Sequence, residues 1–135
     1  MSQPRSPVLL GTALFVSLGA FVACTAKTSE SGVDPSANFL SVSAADQAKF
    51  CDWKAGLYGG YGQEKAWACG NGQSGTLRAP KDQAACLRSF HPVLQSSRDR
   101  CSVTIGDAED CERLFHDTPC ASAPLACITY IGCSI

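Results

Sequence analysis

The sequence predicts an all-α fold, a small disulfide-stapled bundle of about four short helices, preceded by a signal peptide and a flexible tether. Three observations lead to it. Nine cysteines in 135 residues belong to an oxidising compartment rather than to a reduced cytosol. The first part of the chain is an apolar run followed by a polar, small-residue stretch without a core-forming pattern. The remainder carries apolar residues at helical spacing, and no run of strict alternation is long enough to read as a strand.

At roughly 100 to 200 residues per domain, the length holds one domain plus targeting sequence. Eleven Lys and Arg against twelve Asp and Glu leave a net charge of -1. No basic face of the size that phosphate backbones demand can be built from that balance, so nucleic acid is not an expected partner.

Residues 1–23 read as the signal peptide. Arg5 and the terminal amine give a positive start, and Val8 to Ala23, VLLGTALFVSLGAFVA, carries no charge. A run of 16 residues falls short of the ~20 that a helix needs to cross the hydrocarbon core. It ends in Phe21-Val22-Ala23-Cys24, which resembles the lipobox of bacterial lipoproteins, with Phe21 where that family carries Leu or another aliphatic residue. The resemblance implies that Cys24 is lipidated and becomes the mature N-terminus. Cysteine parity agrees, because removing Cys24 leaves eight, an even number with no thiol over. Residues 24–42 are then lipid site and tether. Within them Thr25 to Asn38, TAKTSESGVDPSAN, has Val33 as its one large aliphatic residue, too little apolar surface to offset the entropy of ordering.

Residues 43–135 form the cysteine-rich helical domain. Cys51, Cys69, Cys86, Cys101, Cys111, Cys120, Cys127 and Cys133 imply four disulfides, and eight cysteines permit 105 pairings, so spacing leaves the connectivity open. The first helix is expected near 44–58: Ser43 caps it, Asp46 takes the capping-box place, and Gly59-Gly60 ends it. Its stripe is Ala44, Ala48, Cys51, Ala55 and Tyr58, flanked by Phe50, Trp53 and Leu57. A short second helix is expected from Pro80 to before Pro92, carrying Gln83, Cys86, Leu87 and Phe90 inward. The third begins after Thr104, with Asp107, Glu109 and Asp110 at its positive end and Ala108, Cys111, Leu114 and Phe115 as the buried stripe. Pro119 stops it. The fourth runs from about Pro124 to Gly132 and carries Cys127.

The roughly twenty residues between the first two helices form a loop held by Cys69, a length that is often functional. Its Gly70, Gly72 and Gly75 spell G-x-G-x-x-G, but no strand precedes them and a domain this small cannot hold a doubly wound sheet, so they read as a flexible turn. Trp53, Tyr58, Tyr61 and Trp67 gather around YGGYG and are the candidate binding surface. The chain has two histidines, His91 and His116, and no cysteine pair at zinc-knuckle spacing, so neither a metal nor a cofactor is expected. In CERLFHDTPC, His116-Asp117 resembles the His-Asp pair of secreted phospholipases A2. That family places adjacent cysteines and a Gly-rich calcium loop shortly before the pair, and neither is present here. A helix C-terminus that favours a cation, with Glu112 four residues before, explains His116 without catalysis.

With Phe50-Cys51-Asp52-Trp53, then Gly59-Gly60-Tyr61-Gly62 and a later Cys-rich half, the chain resembles a group of uncharacterised cysteine-rich lipoproteins of myxobacterium-type bacteria. The resemblance implies location and stapling, and no activity. The expected function is therefore that of a lipid-anchored exported domain of the cell envelope, at the outer membrane, with a binding or structural role rather than an enzymatic one. Its partners would be the membrane, through the lipid, and an envelope protein or glycan; without the lipid it would be secreted. The competing reading is a small secreted hydrolase of phospholipase-A2 type using His116 and Asp117.

Overall fold

The computed structural model describes residues 29–91 and 101–134; the expected signal peptide, Cys24 and residues 25–28 lie outside them. Helix α1 spans Ala44–Leu57, with the Ser43 hydroxyl accepting from the Asp46 amide. It closes in a Schellman motif: the Gly60 amide donates to the Ala55 carbonyl and the Gly59 amide to that of Gly56. Gly59 holds φ +87°, which a side chain would disfavour. The buried face is Gln47, Phe50, Cys51 and Ala55, so Ala44, expected in the stripe, lies in solvent.

The loop expected after α1 is instead a β-hairpin, and the fold is helix-rich rather than all-α. Strand β1 (Glu64–Ala68) pairs antiparallel with β2 (Ser74–Arg78). The Cys69 amide donates to the Gln73 carbonyl at 2.7 Å, Gly72 turns at φ +84°, and the Asn71 side chain accepts from the Gln73 amide. Gly75 belongs to β2, opposite Trp67, where a Cβ would lie 3.0 Å from the indole. The hairpin base extends to a bond from the Gly62 amide to the Pro80 carbonyl. Pro80 therefore serves the hairpin and not the next helix. That helix, α2 (Gln83–Leu87), is capped by Asp82, which accepts from the Ala85 amide at 2.7 Å, and passes into a 3-10 turn over Arg88–Phe90.

Helix α3 (Ile105–Asp117) starts in a full capping box between Thr104 and Asp107. Helix α4 (Leu125–Cys133) follows Pro124 and buries Cys127, Tyr130 and Cys133. The sulfurs pair Cys51–Cys86, Cys69–Cys120, Cys101–Cys133 and Cys111–Cys127, with Cα separations of 5.8, 5.7, 5.4 and 5.2 Å. Each lies within the span a disulfide bridges. Four disulfides indicate an oxidising environment. No helix among the described residues is long and apolar enough to cross a membrane.

Residues 29–42, assigned by composition to the tether, pack on the domain. Val33 and Phe39 are core residues, and the Phe39 ring stacks on Phe90 and meets Phe50 and Tyr130 edge-on. The backbone pairs Asn38 with Thr104, and the Gly106 amide reaches the Pro35 carbonyl at 2.9 Å, an approach a Cβ at Gly106 would obstruct. Buried Glu109 closes the segment, accepting from the Ser29 hydroxyl (2.6 Å), the Ser31 amide (2.9 Å) and the Glu30 amide (3.2 Å). Three donors on one carboxylate hold the start of the segment, and Val33 and Phe39 hold the rest in the core.

Two outcomes follow. Removing the buried Cys51–Cys86 bridge in a Cys51→Ala, Cys86→Ala double variant is expected to cost about 2 to 4 kcal/mol, and reductant should lower the wild-type melting point as well. Far-UV circular dichroism on heating measures both, and a wild-type melt indifferent to reductant would show that the bridges do not hold the fold. Glu109→Ala is expected to deprive the part-buried Ser29 and Ser31 donors of their acceptor at a cost of about 1 kcal/mol and to speed amide exchange at Ser31; exchange as slow as in wild type would show that the carboxylate does not hold the start of this segment.

Candidate functional site

Three groups of side chains carry chemistry. The first lies between α1, α3 and α4. Glu112, which charge spacing pairs with His116, turns inward instead. It receives hydrogen bonds from the Lys54 ammonium and from the Tyr130 hydroxyl at 2.6 Å. Burial, and then the Glu112 charge, push the Tyr130 phenol well above its ordinary range. The same two causes raise Tyr58, half-buried nearby, to about 12. A charge buried this far is tolerable because it is paired and hydrogen-bonded, and no buried side-chain polar atom among the described residues lacks a partner.

The second group is His116 and its neighbours at the end of α3. Nδ1 of His116 lies 2.6 Å from an Asp117 oxygen, and Nε2 lies 3.4 Å from the Lys65 ammonium of β1, which also donates to the His116 carbonyl at 3.0 Å. The Tyr58 ring meets the imidazole edge-on at 5.1 Å. The Asp117 carboxyl is held low, chiefly by its hydrogen bond to His116, with Arg113 and Lys65 adding to the charge. Each ring nitrogen thus has a polar neighbour, Asp117 at Nδ1 and the exposed Lys65 at Nε2. Among the described residues no three His, Cys, Asp or Glu side chains are arranged to hold a metal ion. A surface cleft of about 280 Å³ is lined by Asn38, Leu40, Ser41, Phe90 and His91, and so includes neither His116 nor Asp117.

The candidate aromatic surface divides among different neighbours. Trp53 packs on Phe50 and donates through its indole N–H to Glu30, which also pairs with Arg113. Tyr58 faces His116. Tyr61 donates its hydroxyl to Asp52 at 2.7 Å, and its phenol is raised to about 12 by burial and by that carboxylate. Trp67 lies over Gly75 in the hairpin.

The third group is apolar and was read from the sequence only as part of a helix. The large apolar side chains left exposed among the described residues are Leu125, Ile128 and Ile131, all on one face of α4. A three-residue apolar period beside the three-residue Cys127–Tyr130–Cys133 period is the signal that could have found it.

No protein-family model, curated protein or solved structure matches the chain.

All three tyrosines of the chain, Tyr58, Tyr61 and Tyr130, have raised phenols. A phenol whose pKa is higher folded than unfolded favours the fold below about pH 10, and that contribution is lost as pH rises through about 12. Rapid absorbance titration at 295 nm is expected to find on the order of a tenth of the phenols ionised at about pH 11, where ordinary phenols are about nine-tenths ionised. Ordinary titration of the native protein would mean the three rings are not placed as described.

Proposed function

We propose that the chain is the precursor of an exported, lipid-anchored domain of the cell envelope with a binding or structural role. The observation that carries this reading is the cysteine pairing. Four bridges use all eight cysteines from Cys51 to Cys133, so Cys24 alone of the nine is left without a place in the disulfide framework. It stands at the end of a 16-residue uncharged run, in the lipobox-like Phe21-Val22-Ala23-Cys24. An unpaired cysteine in an oxidising compartment is a liability unless it is modified, and lipidation removes it. The anchor puts the domain on a membrane surface, the outer membrane in the lipoprotein group that the sequence resembles, with an envelope protein or glycan as its further partner.

The hydrolase alternative would need a cleft at His116 and Asp117, and the cleft of the described residues is lined by Asn38, Leu40, Ser41, Phe90 and His91 instead. A binding or structural role draws on the surface of a domain cross-linked by four bridges.

Intact-mass spectrometry of the native protein extracted from membranes tests the anchor. The expected product begins at Cys24 and carries a diacylglyceryl group, because one acyl chain gives only marginal binding whereas two anchor stably. A mature form starting at Thr25 or later, without lipid, would overturn it.

A further inference from the structure

We infer that the outer face of α4 is a membrane-contacting surface that seats the domain on an uncharged lipid bilayer. Part of the inference rests on the proposed lipidation of Cys24. The helix has two faces of the same period. Cys127, Tyr130 and Cys133 point into the core, while Leu125, Ile128 and Ile131 are 78%, 57% and 44% exposed. A surface helix ordinarily turns charged or polar side chains outward. Here the outward face is the apolar one, and residues 121–134 contain no Asp, Glu, Lys or Arg.

Chain length holds the domain close to a bilayer, the occupant proposed for this face. Glu109 clamps Ser29 to the domain, so from an anchor at Cys24 only residues 25–28 span to the first fixed position. Five Cα steps reach at most roughly 17 Å. A domain of about 100 residues has a radius of gyration of about 13 Å, so the span is shorter than the domain is wide. The domain therefore stays against the headgroups, at an effective concentration that lets even a modest apolar face engage. Three part-exposed side chains make a patch on the order of a few hundred Å², well under the ~800 Å² per partner of a stable interface between copies. With no cation on it, the face meets the headgroup–acyl boundary by apolar burial and not by attraction to anionic lipid.

The test uses the full chain purified from membranes, carrying Ile128→Trp at this exposed position, on phosphatidylcholine vesicles with and without brominated acyl chains. Emission is read as the difference from wild type, which subtracts Trp53 and Trp67, and an unchanged melting curve shows that the variant folds. An interfacial helix buries its apolar face ~5 to 10 Å into the boundary, so roughly a twofold loss of the added emission is expected, indifferent to salt. Emission untouched by bromine overturns the inference. So does quenching that requires anionic lipid, which would move the contact to basic residues elsewhere, or a sedimenting dimer whose added indole is shielded from bromolipid, which would make a second copy the occupant. The mass of the same sample separates the two proposals. Lipid present with unquenched emission sinks the α4 face and leaves the anchor. Quenching without lipid sinks the anchor and leaves the face, and unquenched emission without lipid sinks both.

Discussion

The Cys51–Cys86 bridge lies where the core would otherwise need a large aliphatic cluster. Of the thirteen core residues among those described, five are half-cystines: Cys51, Cys86, Cys111, Cys127 and Cys133. The apolar remainder is a ring group of Phe39, Phe50, Phe90 and Tyr130 with a few aliphatic side chains around it. Helix α2 has five residues, far below the ~12 to 15 at which an isolated helix becomes even marginal. It exists because Cys86 fixes it to α1 and Asp82 caps it. Sulfur thus acts twice, filling core volume and shrinking the unfolded ensemble. The other three bridges repeat the device at other joints. Cys111–Cys127 joins α3 to α4, Cys101–Cys133 ties the approach to α3 to the end of α4, and Cys69–Cys120 holds the hairpin turn to the segment after α3.

Polar contacts then decide how the cross-linked pieces seat. Helix α3 buries two carboxylates, Glu109 and Glu112, and each accepts from more than one donor. Glu112 binds Lys54 of α1 and Tyr130 of α4, while Glu109 binds three groups of the entering segment. Buried charges contribute little net stability compared with well-packed apolar groups, but an arrangement that strands one is strongly disfavoured. The two glutamates thus act against alternative packings of three elements on α3, in a core too small to select a packing by shape alone.

Where the chain's instructions were local, they could be read. Ser43 and Gly59 bound α1, Thr104 with Asp107 opens α3, and Pro124 precedes α4, because caps and breakers act within a turn of themselves. The hairpin was hidden because EKAWA and SGTLR are exposed except for half-buried Trp67 and Leu77, so no core imprinted an alternation on them. Its order comes from Cys69–Cys120, from the Lys65 bond to the His116 carbonyl and from the Arg78–Glu64 pair at 2.8 Å, none of which has a sequence period. The segment 29–42 was hidden for a related reason. Up to Asn38 its composition is that of a tether, and what orders it is distant in sequence: the core that takes Val33 and Phe39, and a glutamate about 80 positions away that holds its start. Among the candidate site residues, the cysteines were legible as a set and not as pairs, and the aromatics were legible as residues but not in the separate tasks they perform.

The packing of residues 29–42 changes what an anchor at Cys24 would mean. A flexible tether of some eighteen residues spreads over roughly 5 to 6 Å times the square root of its length, about 24 Å, and can extend much farther. A domain on such a leash samples the space above a membrane and can meet partners on an opposing structure. With Glu109 holding Ser29, four residues remain, and a chain that short cannot carry the domain clear of the surface. Under an anchor at Cys24, four cross-links in the domain and a short tether would act together, because a body so stapled and so closely held would present the same small set of faces to the bilayer.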